Sequence, residues 1–196
     1  MVALVLASAS PRRRELLVQR GIAFRVDASD VPETPRPAES AEAFARRVAR
    51  DKAAEVARRH PQAFVLGADT VVVLDGLIFG KPADRADARR MLRALAGRAH
   101  RVLTAVALIA PTGAVDELLV ESQVELRALA AAEIEAYLDS GEPFDKAGAY
   151  AVQGLAGQFV TRVRGSRSNV IGLPVDEVVD LLRRRIPSEP AAVDSR

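Results

Sequence analysis

Residues 4–16 read LVLASASPRRREL, and the fold turns on what this stretch becomes. Leu4, Val5 and Leu6 are an unbroken apolar run of strand length, the pattern of a buried strand. Ser10 then supplies a helix N-cap and Pro11 a first helical residue. A strand, a short turn and a helix open an α/β unit. Three arginines follow at once, Arg12, Arg13 and Arg14. A helix start carries partial positive charge and favours acids, so cations there oppose the dipole. The conflict vanishes if an anion sits on the helix start, where free N–H groups and guanidinium forks both favour phosphate. An arginine directed into solvent needs no ligand, and Arg14 is the one expected to point that way.

Working outward, IAFRVDA (22–28) reads as a second strand. The next stretch, SDVPETPRPAES (29–40), holds three prolines and is neither helix nor central strand. Ser40 caps a helix to about residue 59, along which Ala43, Phe44, Val48, Ala53 and Val56 recur at roughly helical spacing. Residues 63–80 read as a hairpin with Asp75-Gly76 as the turn. Asp84 caps a helix to about residue 95, and 97–129 read as two long strands joined at Pro111-Thr112-Gly113. A helix over 130–140 ends at Gly141. A glycine-bearing loop (142–157), a strand (158–166) and a last helix (174–185) follow. Strands and helices alternate early and mix later. The expected fold is α/β, a mixed sheet with helices around it. Residues 1–186 are expected as one domain, and 187–196 as a flexible tail.

Composition narrows the function. Aromatic residues are 4% of the chain and Trp is absent, so platforms for stacking single-stranded bases are scarce. Basic and acidic side chains nearly balance, 28 against 26, which argues against a nucleic-acid partner. With no Cys, disulfides, zinc–thiolate sites and thiol catalysis are excluded. The opening apolar run is short and has no basic region before it, so it reads as a strand rather than a signal peptide. No apolar stretch approaches the roughly 20 residues that span a bilayer. The expected setting is the cytoplasm, with no membrane partner. A P-loop, a dinucleotide fingerprint and a nucleophile elbow are all missing. His60 and His100 lack metal-ligand spacing and read as structural.

Two further stretches carry chemistry. GADTVVVLDG (67–76) places Asp69 early in an apolar run. A carboxylate is costly to bury there unless it is paired, binds a metal or faces an open cleft. It suits a metal ligand or a base for a water nucleophile; an Asp satisfied by turn N–H groups is the plainer alternative. Thr70 beside it can be an ordinary strand residue. Lys81, in a loop before Pro82, can contact phosphate. Glu33 and Lys52 say little alone. PFDKAGAYAVQG (143–154) packs Asp145, Lys146, Tyr150 and Gln153 among small residues that permit close backbone approach. Gln153 offers a donor and an acceptor to a base edge. An Asp145–Lys146 pair holding a purely structural loop is the alternative.

Together these stretches resemble the Maf family of nucleotide pyrophosphatases. The resemblance is carried by LASASPRRRELL (6–17), Glu33, RVARDKA (47–53), GADTVVVLDGLIFGKP (67–82), FDKAGAYAVQG (144–154) and GLP (172–174). It runs from about residue 3 to about residue 184. It implies an elongated, two-lobed fold with a central cleft, shared with inosine-triphosphate pyrophosphatases (the Maf/Ham1 type). It implies hydrolysis of a nucleoside triphosphate to monophosphate and pyrophosphate with a divalent cation, Mg²⁺ or Mn²⁺. The family's functional positions fall on Ser8, Arg12, Arg13, Glu33, Lys52, Asp69, Lys81 and Gln153, with Asp69 as proton acceptor and Glu33 and Asp69 toward the metal. Arg12, Thr70 and Gln153 match the selectivity positions of the branch acting on dTTP and UTP; the branch acting on 7-methyl-GTP differs there. Ala151 stands where glycine is the commoner residue. The family also suggests a homodimer. Its name is linked to inhibition of septum formation, so a regulator acting through partner binding is the rival from another class.

Overall fold

The computed structural model describes residues 3–186, so the tail expected over 187–196 lies outside the described residues. β1 (Leu4–Leu6) leads into α1 (Pro11–Gln19), and β2 (Arg25–Val26) into α2 (Ala41–Ala57). The hairpin β3 (Phe64–Leu74) and β4 (Leu77–Phe79) is followed by α3 (Arg85–Leu95), β5 (Ala99–Ile109) and β6 (Val115–Leu126). Then come α4 (Ala131–Asp139), three 3-10 turns at Glu142–Asp145, Ala147–Ala149 and Leu155–Phe159, β7 (Val160–Arg164), α5 (Arg167–Ile171) and α6 (Val175–Arg185).

The local signals act as expected at most boundaries. Ser40 accepts from Ala43 N at 3.1 Å and Asp84 from Asp87 N at 2.7 Å, satisfying N–H groups that each helix start leaves free. Asp75 and Gly76 both take positive φ, 52° and 78°, which matches the twist of a tight hairpin. Three expectations need correction. The second strand shrinks to the exposed pair Arg25–Val26 at the sheet edge. The segment after Gly141 is wound into 3-10 turns rather than left as plain loop. The short helix α5 was not expected; five residues are too few to show an apolar period, although Ser166 caps it and Gly172 ends it.

The sheet has seven strands in the order β2-β1-β3-β5-β6-β7, with β4 beside β3. β1 is parallel to β2 and β3, and the other pairings are antiparallel, so the sheet is mixed. Strand periodicity sorts its residues by face. Val65, Val71, Val73, Leu103 and Ala105 pack under α2 with Phe44, Val48 and Ala49. The opposite face carries two apolar clusters. At one end Leu6, Leu66 and Leu108 meet Leu17 and Val178 from α1 and α6. At the other, Val72, Val102 and Val124 meet Leu92 and Leu138 from α3 and α4.

One break in the sheet matters most. One edge of β3 pairs with β1 through residues 64–66 and with β4 through residues 72–74. Residues 67–71 between them have a strand partner on the β5 side only. Asp69 and Thr70 lie at this gap.

Candidate active site

A cleft of about 1410 Å³ opens at the gap. Its lining includes every site residue expected from the sequence: Ser8, Arg12, Arg13, Glu33, Lys52, Asp69, Thr70, Lys81 and Gln153. Residues 145 positions apart in the chain, Ser8 and Gln153, thus line one cleft, which opens where β1 ends and β3 is left without a partner on that edge.

Asp69 faces α2. It is 5% exposed, and Lys52 Nζ, also buried, donates to its Oδ1 at 2.8 Å. The same ammonium lies 2.9 Å from Glu33 Oε1, and Lys81 Nζ lies 3.3 Å from Glu33 Oε2. Two carboxylates and two ammonium groups therefore alternate along the cleft. Gly67 makes the first contact possible. A Cβ there would meet Ala49 O at 2.3 Å and Ala53 N at 2.8 Å, so only glycine lets α2 lie this close to β3. Burial pushes the Asp69 carboxyl above its ordinary range, against the opposing pull of Lys52 and Arg13. For Glu33, burial pushes upward too, but Lys52 and Lys81 outweigh it and the carboxyl lies below its usual range.

Thr70 faces the other way. Arg13 crosses beneath α5 to reach it. Its guanidinium donates to Gly172 O at 2.8 Å, Ser8 Oγ at 3.1 Å and Thr70 Oγ1 at 3.1 Å. All three acceptors are neutral, and no carboxylate pairs with Arg13 among the described residues. Burial lowers its pKa, partly offset by the fields of Asp69 and Glu33. Arg12 is half-buried at the cleft, while Arg14 is exposed as expected. Ser10 holds the N-cap position but its hydroxyl does not cap. Instead Ser10 N donates to Ser8 Oγ at 3.2 Å. No side chain of the cap covers the helix start that carries the arginines.

Behind Thr70 runs a polar seam that parts the two apolar clusters. Thr70 Oγ1 pairs with Thr104 Oγ1 at 2.9 Å, and Thr104 Oγ1 donates to Asn169 O at 3.0 Å. Asn169 Nδ2 donates to Val102 O at 3.1 Å and to Ser122 Oγ at 3.0 Å. Thr104 and Asn169 are fully buried, so each link substitutes for lost water. These residues were missed in the sequence. A Thr in an apolar strand looks ordinary, and the register that places Thr104 opposite Thr70 appears only in three dimensions.

The second wall comes from the 3-10 turns. Glu142 accepts from Tyr137 Oη at 2.9 Å through Oε1 and from Leu155 N at 3.0 Å through Oε2, tying two turns together beside Gln153. Gly148 (φ 69°) donates to Gly80 O at 3.0 Å, next to Lys81. The Asp145–Lys146 pair does form, so the structural alternative for this loop holds alongside its place in the cleft. His100 Nε2 lies 2.7 Å from Tyr150 Oη, and burial lowers the imidazole pKa to about 4, which keeps it neutral. His60 pairs with Asp27 and lines a separate small cavity. Both histidines stand outside the cleft lining.

The model of the family described as Maf-like protein matches residues 3–185. The chain belongs to this family. Curated relatives agree. The Maf-like chain is 55% identical over 182 residues to the dTTP/UTP pyrophosphatase of Myxococcus xanthus (strain DK1622), covering 92% of this chain and 91% of that one. It is 52% identical over 184 residues to the dTTP/UTP pyrophosphatase of Geobacter sulfurreducens (strain ATCC 51573 / DSM 12127 / PCA), covering 92% and 95%. Among solved structures it is similar to the Ham1 protein of Staphylococcus aureus, with a TM-score of 0.54, 17% identity and coverage of 92% and 97%. That likeness bears on the fold alone, and it matches the mixed-sheet architecture expected from the sequence. Among the described residues, no helix is long and apolar enough to cross a membrane.

Proposed function

We propose that this Maf-like chain hydrolyses dTTP and UTP to the monophosphate and pyrophosphate. The relatives named dTTP/UTP pyrophosphatase support the reaction. The observation that carries it is Arg13, a buried guanidinium held by three neutral oxygens at a cleft shared with Asp69. A buried cation without a counter-ion is expensive, and a phosphate chain would supply that counter-ion.

In this reading Arg12, Arg13 and Ser8 hold the triphosphate at the uncapped start of α1, and Lys81 adds charge from the opposite side. Asp69 accepts a proton from a water molecule. The water oxygen bonds to the α-phosphorus, the bond from that phosphorus to the bridging oxygen breaks, and pyrophosphate leaves. Lys52 favours the ionised form of Asp69 against the effect of burial. A metal fits this donor set. Glu33 and Asp69 converge on a single ammonium, their donors are hard oxygens, and no thiolate or imidazole intrudes. Among the described residues no cluster of three metal-binding side chains occurs. The Glu33 and Asp69 carboxylates suit Mg²⁺ or Mn²⁺ bound by one or two carboxylates plus substrate phosphates. Such a cation would offset phosphate charge. Arg12, Thr70 and Gln153 set the base preference, which favours dTTP and UTP over 7-methyl-GTP. Residues 1–186 act as one catalytic domain on free nucleotides in the cytoplasm, as a homodimer.

Pyrophosphate release over a panel of dTTP, UTP, CTP and 7-methyl-GTP, with and without Mn²⁺, tests the reading. Asp69→Asn should lower kcat by about 10²–10⁴-fold while dTTP still binds. Near-parental turnover by that variant removes Asp69 from its role. Filamentation on overexpressing the same variant would favour the septum regulator over the enzyme.

A further inference from the structure

The chain has six phenylalanines, and five of them pack into its apolar clusters: Phe44, Phe64, Phe79, Phe159 and, partly buried, Phe24. Phe144 belongs to none. It is 37% exposed and lines the cleft, while its neighbour Pro143 is buried and anchors the turn. An aromatic ring at the cleft lining offers a flat apolar face to whatever the cleft holds.

The clamp on Glu142 ties the ring's turn to the segment that carries Gln153. Phe144 lies two residues after Glu142, and Gln153 lies two residues before Leu155, whose N–H donates to Glu142 Oε2. The ring and the Gln153 amide are therefore held on one tied pair of turns, both lining the cleft. A flat π-face beside a paired donor and acceptor suits a nucleobase, which offers a face and a hydrogen-bonding edge at once. The Lys52–Asp69 pair and Arg13 lie on the other wall, where phosphate fits.

We propose that Phe144 stacks on the pyrimidine ring of the bound nucleotide, with Glu142 as the positioning residue that fixes the ring's turn against Gln153. This rests on the nucleotide reading above and adds the base-stacking surface to it. Stacking acts on substrate and transition state alike, so it governs KM and leaves kcat nearly unchanged.

Two measurements test it. Phe144→Ala should raise KM for dTTP about 5- to 100-fold, whereas Phe144→Tyr should keep it near the parent value. The chain has no Trp, so Phe144→Trp places a single indole at the site. In an Asp69→Asn background, dTTP and UTP should quench that indole, and inorganic tripolyphosphate should not. The proposal is overturned by an unchanged KM in Phe144→Ala, or by equal quenching with tripolyphosphate. It is overturned equally if Phe144→Ala alters the sedimentation coefficient with KM intact, which would make the ring a contact between copies. Pyrophosphate release by the parent is read separately. If the parent turns over no nucleotide while Phe144→Trp in the Asp69→Asn background shows nucleotide-specific quenching, the hydrolase reading falls and the stacking surface stands.

Discussion

The two walls of the cleft are built by opposite means. One wall comes from regular elements: the end of β1, the start of α1, the open stretch of β3 and the inner face of α2. Its charged side chains Arg13, Lys52 and Asp69 are buried, and their backbones are fixed by sheet and helix hydrogen bonds. The other comes from 3-10 turns with positive φ at Gly148, Ala149 and Gly154, held by a few side-chain ties such as Glu142 to Leu155 N. The contrast separates two demands. Groups that move protons need fixed distances, which a sheet and a packed helix supply. Groups that choose a ligand sit on turns, where a change of shape leaves the scaffold intact.

The largest expected effect probes this contrast with one chemical change on each wall. Gly67→Ala forces a methyl group against the backbone of α2, with Ala49 O at 2.3 Å. Neither β3 nor α2 can yield easily, so a loss of about 3 kcal/mol in urea unfolding is expected. kcat should fall with it, because displacing α2 moves Lys52 away from Asp69. Gly148→Ala meets the buried, β-branched Val72 side chain at 3.0–3.2 Å, a looser approach than at Gly67, and a left-handed φ of 69°. Its cost should be smaller, about 1–2 kcal/mol. If the two substitutions cost the same, the walls do not differ in rigidity as described.

The second effect is on pH dependence. Burial raises the Asp69 pKa and Lys52 lowers it. Removing that ammonium lets the pKa climb. A general base works ionised, so the acid limb of the kcat/KM profile in Lys52→Met should move to higher pH. The stability sign is consistent. The folded state holds the Asp69 proton more tightly than the unfolded chain does. Stability therefore falls as pH rises from the ordinary 3.8 through the folded pKa. An acid limb that stays in place in Lys52→Met would mean that Asp69 is not the titrating base.

The first wall was legible in the sequence because its signals are local. Pro11 after a strand marks the start of α1, three arginines there conflict with the dipole, and an Asp inside an apolar run asks for a partner. The partner itself was not legible. Lys52 said little alone and was named by the family resemblance, but only the close approach at Gly67 shows that it pairs with Asp69. The seam through Thr104 and Asn169 was hidden for the same reason, since cross-strand register places Thr104 opposite Thr70. The helix α5 escaped because five residues carry no period. The second wall was read as glycine-bearing loop. Its composition permits many shapes, and distant residues, Tyr137 with Glu142 and Gly80 with Gly148, select one.

The smallest effect falls on that second wall. Tyr137 is 3% exposed, and its hydroxyl gives Glu142 one of its two ties. Tyr137→Phe keeps the ring, its edge-to-face contact with Phe159 and its volume, and deletes that one bond. Stability should drop by about 1 kcal/mol. Glu142 would still accept from Leu155 N, so the turns should loosen without parting. KM for dTTP should then rise by about two- to fivefold, with kcat unchanged. Steady-state kinetics on dTTP beside a urea melt of the same preparation separates the two consequences. A fall in kcat at constant KM would give the wrong sign for this wall. It would mean that the turns take part in placing the reacting atoms, and that the division of labour between scaffold and turns does not hold.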